Sequence, residues 1–142
     1  MTKEIRILIA DDHPIFRQGL RVVIENEPDF VVIDEAEDGA AALEKIQRLQ
    51  PEIAVLDINM PHMNGFDIAR AVRDMRLSVR VIILTSHKDE KMFNEAIDIG
   101  VKGYVLKESA LVELAASIRA VASGQPYISP QLSGYLLSRH RG

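Results

Sequence analysis

Cysteine is absent from the 142-residue chain, which excludes disulfide scaffolds, thiolate zinc sites and cysteine nucleophiles. Long apolar runs are absent as well. Ile53 to Leu56 and Val81 to Leu84 are short runs, far below the ~18 residues of a membrane span. An excess of positive charge is the third absence: 17 Lys and Arg stand against 21 Asp and Glu, a net charge of −4. Phosphate backbones are bound by clustered positive charge, so the chain is not expected to hold nucleic acid by itself. Lys3, Glu4 and Arg6 interrupt the start before any long apolar stretch, and no cleavage-site pattern follows, so no signal peptide is evident. What remains is ordinary globular material, 47% hydrophobic and 27% charged, of single-domain length. The expectation is one soluble, cytoplasmic unit with a single core and no membrane contact.

Hydrophobic periodicity alternates along the chain. Ile5 to Ala10 is a short β-branched run, suited to a buried strand. Pro14 fits a first helical position, and Phe16, Gly19, Leu20 and Val23 repeat at helical spacing. Phe30 to Ile33 reads as a second strand, and Asp38 as the cap of a helix facing inward through Leu43 and Ile46. Ile53 to Leu56 is a third strand, ending at Asp57, and Asn64 with Asp67 forms a capping pair for the next helix. Val81 to Leu84 is the fourth strand, followed by a helix from Asp89 and Glu90 to Gly100; Gly103 to Leu106 is the fifth. Ser109 is read as the cap of a last long helix, with Leu111, Leu114, Ala115, Ile118, Val121 and Ala122 as its core stripe. Residues 125–142 read as a linker with one short amphipathic helix through Leu132, Tyr135 and Leu136. Five strand–helix repeats predict an α/β, doubly wound, five-stranded parallel sheet.

Polar residues fall at the carboxyl ends of those strands, where open parallel sheets bind ligands. Asp11 and Asp12 close the first strand, Asp57 the third, Thr85 and Ser86 the fourth, and Lys107 the fifth. Parallel strands must bring these groups to one rim. Two carboxylates ~4 Å apart repel by about 4 kcal/mol at an effective dielectric near 20, so three together call for a cation, raised pKa values, or both. Hard oxygen donors favour Mg²⁺ or a similar ion. Such a rim suits a carboxylate nucleophile that accepts a phosphoryl group, with the metal and Lys107 neutralising the oxygens in flight. Each residue also has a plainer reading. Asp11 and Asp12 could cap the first helix, Lys107 could be a surface lysine, Thr85 could follow strand propensity, and Tyr104 could simply pack. His13, His62 and His87 would share the rim, but they lack helical ligand spacing and carboxylates outnumber them, which argues against zinc.

Taken together, Asp11-Asp12, the run Val55 to Gly65, Ile83-Leu84-Thr85-Ser86 and Gly103-Tyr104-Val105-Leu106-Lys107 resemble, in order, the motifs of the receiver domain of two-component response regulators. The resemblance covers roughly Lys3 to Gly124. The Asp-Asp-His-Pro opening and Tyr127-Ile128-Ser129-Pro130 resemble the NarL/FixJ-type subgroup, whose members usually carry a C-terminal LuxR-type helix-turn-helix domain. It implies a flavodoxin-like strand order 2-1-3-4-5, with residues 1–124 as receiver and the output domain absent from this chain. It implies Asp57 as phosphoacceptor from a histidine kinase, and Mg²⁺ held by Asp12, Asp57 and the Asn59 carbonyl, with Asp11 acting through a bound water. Lys107 and Thr85 would bind the phosphoryl group and Tyr104 would be the aromatic switch. The output would be a changed surface on helix four, strand five and helix five. A homodimer through helices one and five, and DNA contact only through an output domain, are also implied. Such a domain is a signalling unit, not an enzyme, although self-phosphorylation from small phosphodonors and slow autodephosphorylation are expected of it. One departure is Glu108, where many receivers have proline after the lysine.

Other classes fit less well. A stand-alone receiver acting by protein contact would share all these motifs. An aspartyl-phosphate phosphohydrolase of the haloacid-dehalogenase type resembles a first strand ending in Asp-x-Asp, whereas here the candidate nucleophile closes strand three. No Gly-x-x-x-x-Gly-Lys follows a strand, which disfavours a P-loop enzyme. A pseudo-receiver would lack an acidic or lysine position, and none is missing.

Overall fold

The computed structural model describes residues 3–141. Six parallel strands form one sheet in the order β2-β1-β3-β4-β5-β6: β1 Ile5–Ala10, β2 Phe30–Ala36, β3 Ile53–Asp57, β4 Arg80–Thr85, β5 Gly103–Leu106 and β6 Tyr127–Ile128. The helices are α1 Pro14–Glu25, α2 Gly39–Leu49, α3 Gly65–Asp74, α4 Glu90–Ile99, α5 Ala110–Ala122 and α6 Ser133–Arg141. The first five strands hold the expected flavodoxin-like order. Among the described residues, no helix is long and apolar enough to cross a membrane, and no peptide bond is cis.

Strand alternation divides the core into two layers. Ile7, Ile9, Ile53, Val55, Ile82, Leu84 and Val105 face α1 and α5, where Leu20, Ile24, Leu114 and Ile118 meet them. Leu8, Ala10, Ala54, Leu56, Val81, Ile83, Tyr104 and Leu106 face the other side, against Ile46, Ile68, Phe93 and Ala96 of α2, α3 and α4. Both faces are apolar because both are covered, the arrangement that makes parallel strands read as unbroken hydrophobic runs.

Local signals set the helix ends. The Asp38 side chain accepts from Ala41 N at 2.8 Å, and Asn64 and Asp67 form a reciprocal capping box. Asp89 accepts from Met92 N, and Gly100 closes α4 at φ +106°. Ser109 is different. It sits at the N-terminal boundary of α5 but makes no side-chain cap; the helix is entered from a 3-10 turn over Lys107–Ser109, and its hydroxyl donates to Leu106 O instead. Leu111, expected in the core stripe, is 46% exposed and lies over Gly19 of α1, while its neighbour Val112 is almost fully exposed.

The sixth strand is the main departure from expectation. After Gly124 the chain pairs with β5, Gly103 to Tyr127 and Tyr104 to Ile128. Flanking prolines, Pro126 and Pro130, hide so short a strand in the sequence, yet proline is tolerated at a sheet edge. Ser129, fully buried, accepts from Leu106 N and donates to Glu113 of α5, which also receives the Tyr127 hydroxyl. Of the short helix expected through Leu132, Tyr135 and Leu136, the last two lie in α6, which packs on α4, while Leu132 belongs to a 3-10 turn over Pro130–Leu132 that leads into it. The Tyr135 hydroxyl donates to Lys88 O at 2.9 Å, and Arg139 reaches Asn94 and Asp98.

One glycine holds the rim together. A Cβ on Gly39 would stand 1.9 Å from Met63 O, because the loop after β3 lies directly on the start of α2 and Gly39 N donates to Pro61 O. Gly39→Ala is therefore expected to destabilise the fold by about 2 kcal/mol, in the range of overpacking. Urea unfolding measures it, and an unchanged midpoint would mean that the loop moves aside freely.

Candidate functional site

Three of the strand-end groups converge as the parallel topology requires. Asp11 follows β1, Asp57 ends β3 and Lys107 follows β5, and all three continue the α1/α5-facing alternation of their strands. Lys107 Nζ lies 3.0 Å from Asp57 Oδ2 and 3.2 Å from Asp11 Oδ2. Its ammonium also sits 4.8 Å from the centroid of the Phe16 ring, so the lysine stem crosses apolar ground before reaching the carboxylates. Asp11 and Asp57 are buried, whereas the Asp12 side chain is about one-third exposed and opens the pocket to solvent.

Neighbouring backbone orients the acids. Asp11 Oδ1 accepts from His13 N at 2.7 Å, which bends the chain into the Pro14 start of α1 instead of capping that helix. Asp57 Oδ1 accepts from Asn59 N at 3.3 Å, and a Cβ on Gly65 would meet Asp57 O at 2.8 Å, so the loop after β3 folds closely back on the acid. Asn59 itself is exposed at the mouth of the pocket.

Charge crowding is visible in the pKa directions. Burial pushes the Asp57 carboxyl above its ordinary value; the Lys107 hydrogen bond opposes this and the negative charge of Asp11 reinforces it. For Lys107, burial works against the ammonium, but Asp57 and Asp11 outweigh it and hold its pKa above the usual lysine value. A carboxyl raised on folding binds its proton more tightly in the native state. Asp57 therefore leaves stability unaffected below the unfolded carboxylate pKa and lowers it as pH rises through that value toward the folded one. Asp57→Asn is expected to be more stable than the wild type at neutral pH, with the gap closing on acidification to about pH 4. Urea midpoints at the two pH values measure this, and equal midpoints at neutral pH would contradict it.

Thr85 and Tyr104 belong to the opposite layer. Thr85 is buried at the end of β4, and its hydroxyl accepts from His87 N at 3.0 Å. Tyr104 lies on the neighbouring strand with its ring turned fully inside, edge-on to Phe93 with centroids 5.5 Å apart at 83°. Its hydroxyl is buried without a hydrogen-bond partner, and burial pushes its pKa up to about 12. Both residues thus sit beside the rim but join the α4 layer and not the carboxylate cluster.

The acidic pocket is compatible with a divalent metal ion. Asp11, Asp12, His13 and Asp57 each offer one donor atom within 4.8 Å of the others. Asp12 Oδ1 is buried and makes no hydrogen bond, while Asp11 and Asp57 share the single Lys107 ammonium, the condition in which a further cation relieves a carboxylate pocket. The donors are mainly hard oxygens, which suits Mg²⁺-class ions. Of the three histidines weighed in the sequence, only His13 enters this group among the described residues; His62 and His87 do not. Adjacency to Asp12 was the available signal for His13.

The response regulator receiver domain matches residues 7–119. Among curated relatives, the transcriptional regulatory protein DegU of Brevibacillus brevis is 35% identical over 97% of this chain and 58% of its own length. The chain spans 58 to 65% of the length of the first curated relatives it matches. A two-component response regulator of the LuxR family from Aurantimonas sp. SI85-9A1 superposes with a TM-score of 0.91 at 31% identity, covering 99% of this chain and 100% of the other. The isolated receiver domain of RcsB from Salmonella enterica serovar Typhimurium, solved with the phosphomimetic BeF3−, gives a TM-score of 0.86 at 25% identity over 94% and 99% of the two chains. Sequence, fold and the arrangement of acids and lysine at one sheet edge agree: the chain belongs to the response regulator receiver domain family.

Proposed function

We propose that Asp57 accepts a phosphoryl group from the phosphohistidine of a sensor histidine kinase. One Asp57 carboxylate oxygen attacks phosphorus, the P–N bond breaks with its electron pair going to the imidazole nitrogen, and the imidazole takes up a proton from water as it leaves. The observation that carries this reading is the contact of Lys107 Nζ with Asp57 Oδ2 at 3.0 Å, in a pocket where two further carboxylates converge. A partly buried ammonium on one side of the acceptor offsets the oxygens of the incoming group. Asp11, Asp12, Asp57 and the backbone carbonyl of Asn59 are the residues to hold Mg²⁺, which when bound supplies the remaining charge neutralisation. Thr85 provides a hydroxyl toward the phosphoryl group once it leaves His87 N, and Tyr104 in the adjoining layer follows that movement. The surface of α4, β5 and α5 then changes by a shift between two packings.

In this reading residues 1–124 are the receiver, and residues 125–142 lead toward an output domain that binds DNA and controls transcription. Relatives named as transcriptional regulatory proteins, longer than this chain, support that proposal. Cytoplasmic location follows from the same role. The exposed Ile15 and Val22 on α1 with Leu111 and Val112 on α5 offer a homodimer surface. Intact-mass analysis after incubation with acetyl phosphate tests the reading. One phosphoryl increment is expected with Mg²⁺ and none after chelation, whereas labelling indifferent to metal would overturn the metal assignment.

A further inference from the structure

The carboxylate pocket holds one donor that is not an oxygen. His13 Nδ1 lies 2.9 Å from Asp11 Oδ1, 3.1 Å from Asp12 Oδ1 and 3.8 Å from Asp57 Oδ2, with Lys107 Nζ 3.2 Å away. No helix cap explains the position: His13 precedes α1, but its side chain makes no capping bond. Asp11 explains it instead: its Oδ1 accepts from His13 N and is hydrogen-bonded to His13 Nδ1 at 2.9 Å, with Pro14 beginning the helix immediately after.

Distances match a single coordination sphere. Metal bonds of ~2.0–2.4 Å put donors on opposite sides of one ion ~4.0–4.8 Å apart. The four donor atoms of Asp11, Asp12, His13 and Asp57 all fall within 4.8 Å of one another. Asp12 Oδ1 is buried and makes no hydrogen bond even though Nδ1 is only 3.1 Å away, so the two atoms border one pocket without being aligned on each other. Asp11 Oδ2, on a fully buried side chain, faces the Lys107 ammonium at 3.2 Å, and that same ammonium lies 3.0 Å from Asp57 Oδ2.

Building on the reading of this pocket as a divalent-cation site, we propose that His13 is a metal ligand through Nδ1 for borderline transition ions. The pocket then has two modes. Mg²⁺ takes the hard oxygen donors and has little use for imidazole, whereas Co²⁺ and Zn²⁺ gain a nitrogen that suits them. His13 thereby sets metal selectivity, separating this pocket from one built of oxygen alone. It differs from a three-histidine zinc site, since His62 and His87 take no part.

Calorimetric titration of the full chain with Mg²⁺, Co²⁺ and Zn²⁺ tests the proposal in wild type, His13→Ala, His13→Asn and Asp12→Ala. Both His13 variants are expected to weaken Co²⁺ and Zn²⁺ binding by about tenfold or more, a typical loss when a metal site is perturbed, while Mg²⁺ binding stays within about twofold. In ¹⁵N-histidine spectra, Zn²⁺ should move the His13 Nδ1 resonance ahead of those of His62, His87 and His140. Unchanged Co²⁺ and Zn²⁺ affinity in the His13 variants, with Mg²⁺ binding lost in Asp12→Ala, would overturn the role of His13 and leave the carboxylate pocket standing. Binding of every ion unaffected by Asp12→Ala would overturn the pocket and the His13 proposal together.

Discussion

Asp57→Asn is expected to abolish labelling by acetyl phosphate in the presence of Mg²⁺. The substitution keeps the side-chain shape and an oxygen for the Asn59 N–H, so the loop after β3 retains its anchor. It removes the anionic oxygen that must attack phosphorus, and an amide is a far poorer nucleophile. Lys107 still has Asp11 Oδ2 at 3.2 Å, so the ammonium is not stranded. Loss of chemistry without loss of fold is the signature to look for: no phosphoryl increment by intact mass, alongside an unfolding midpoint at or above that of the wild type. Full labelling would place the acceptor elsewhere, and Asp11 and Asp12 are the carboxylates close enough to be tried next.

Phe93→Ala should have the largest effect on stability. Phe93 is fully buried in the layer between the sheet and α4, edge-on to Tyr104 and tilted against Tyr135 of α6 with centroids 5.8 Å apart. Truncating a buried phenylalanine costs about 3–5 kcal/mol through lost transfer energy and the cavity left behind. That is a large share of the roughly 5–15 kcal/mol that holds a domain folded. Phe93→Leu keeps most of the volume and should cost about 1 kcal/mol. Urea unfolding separates the two, and hydrogen exchange over residues 133–141 should accelerate in the alanine variant before the rest of the chain does. A loss below about 1 kcal/mol for Phe93→Ala would show that the ring is not a keystone of this layer.

Most of the fold could be read in advance because its signals are local. The apolar runs at Ile53–Leu56 and Val81–Leu84, the Asn64–Asp67 pair and Gly100 mark their elements through backbone and burial preferences that tertiary packing did not override. The site was legible for a topological reason: parallel strands all end on one side, so Asp11, Asp57 and Lys107 had to meet once the strands were placed. What escaped was set by contacts distant in sequence. Tyr127–Ile128 is a strand only because β5 offers an unpaired edge and Glu113 of α5 receives the Tyr127 and Ser129 hydroxyls. Ser109 fails to cap because the turn starting at Lys107 delivers the chain in the wrong conformation. Leu111 follows the helical stripe yet emerges at the α1 side of its helix, where Gly19 leaves it half in solvent.

The docking of α6 has a mechanical corollary. Tyr135, near its start, touches both Phe93 and the carbonyl of Lys88, while Arg139, near its end, is tethered to Asn94 and Asp98. Nine residues at 1.5 Å each make a rod of about 13 Å, so a tilt of about 10° at its base sweeps the tip by about 2 Å. A rearrangement of the Tyr104–Phe93 pair that tilts α6 would therefore be carried along this rod to Arg139 and strain its guanidinium–carboxylate contact with Asp98, on a surface far from the carboxylates themselves.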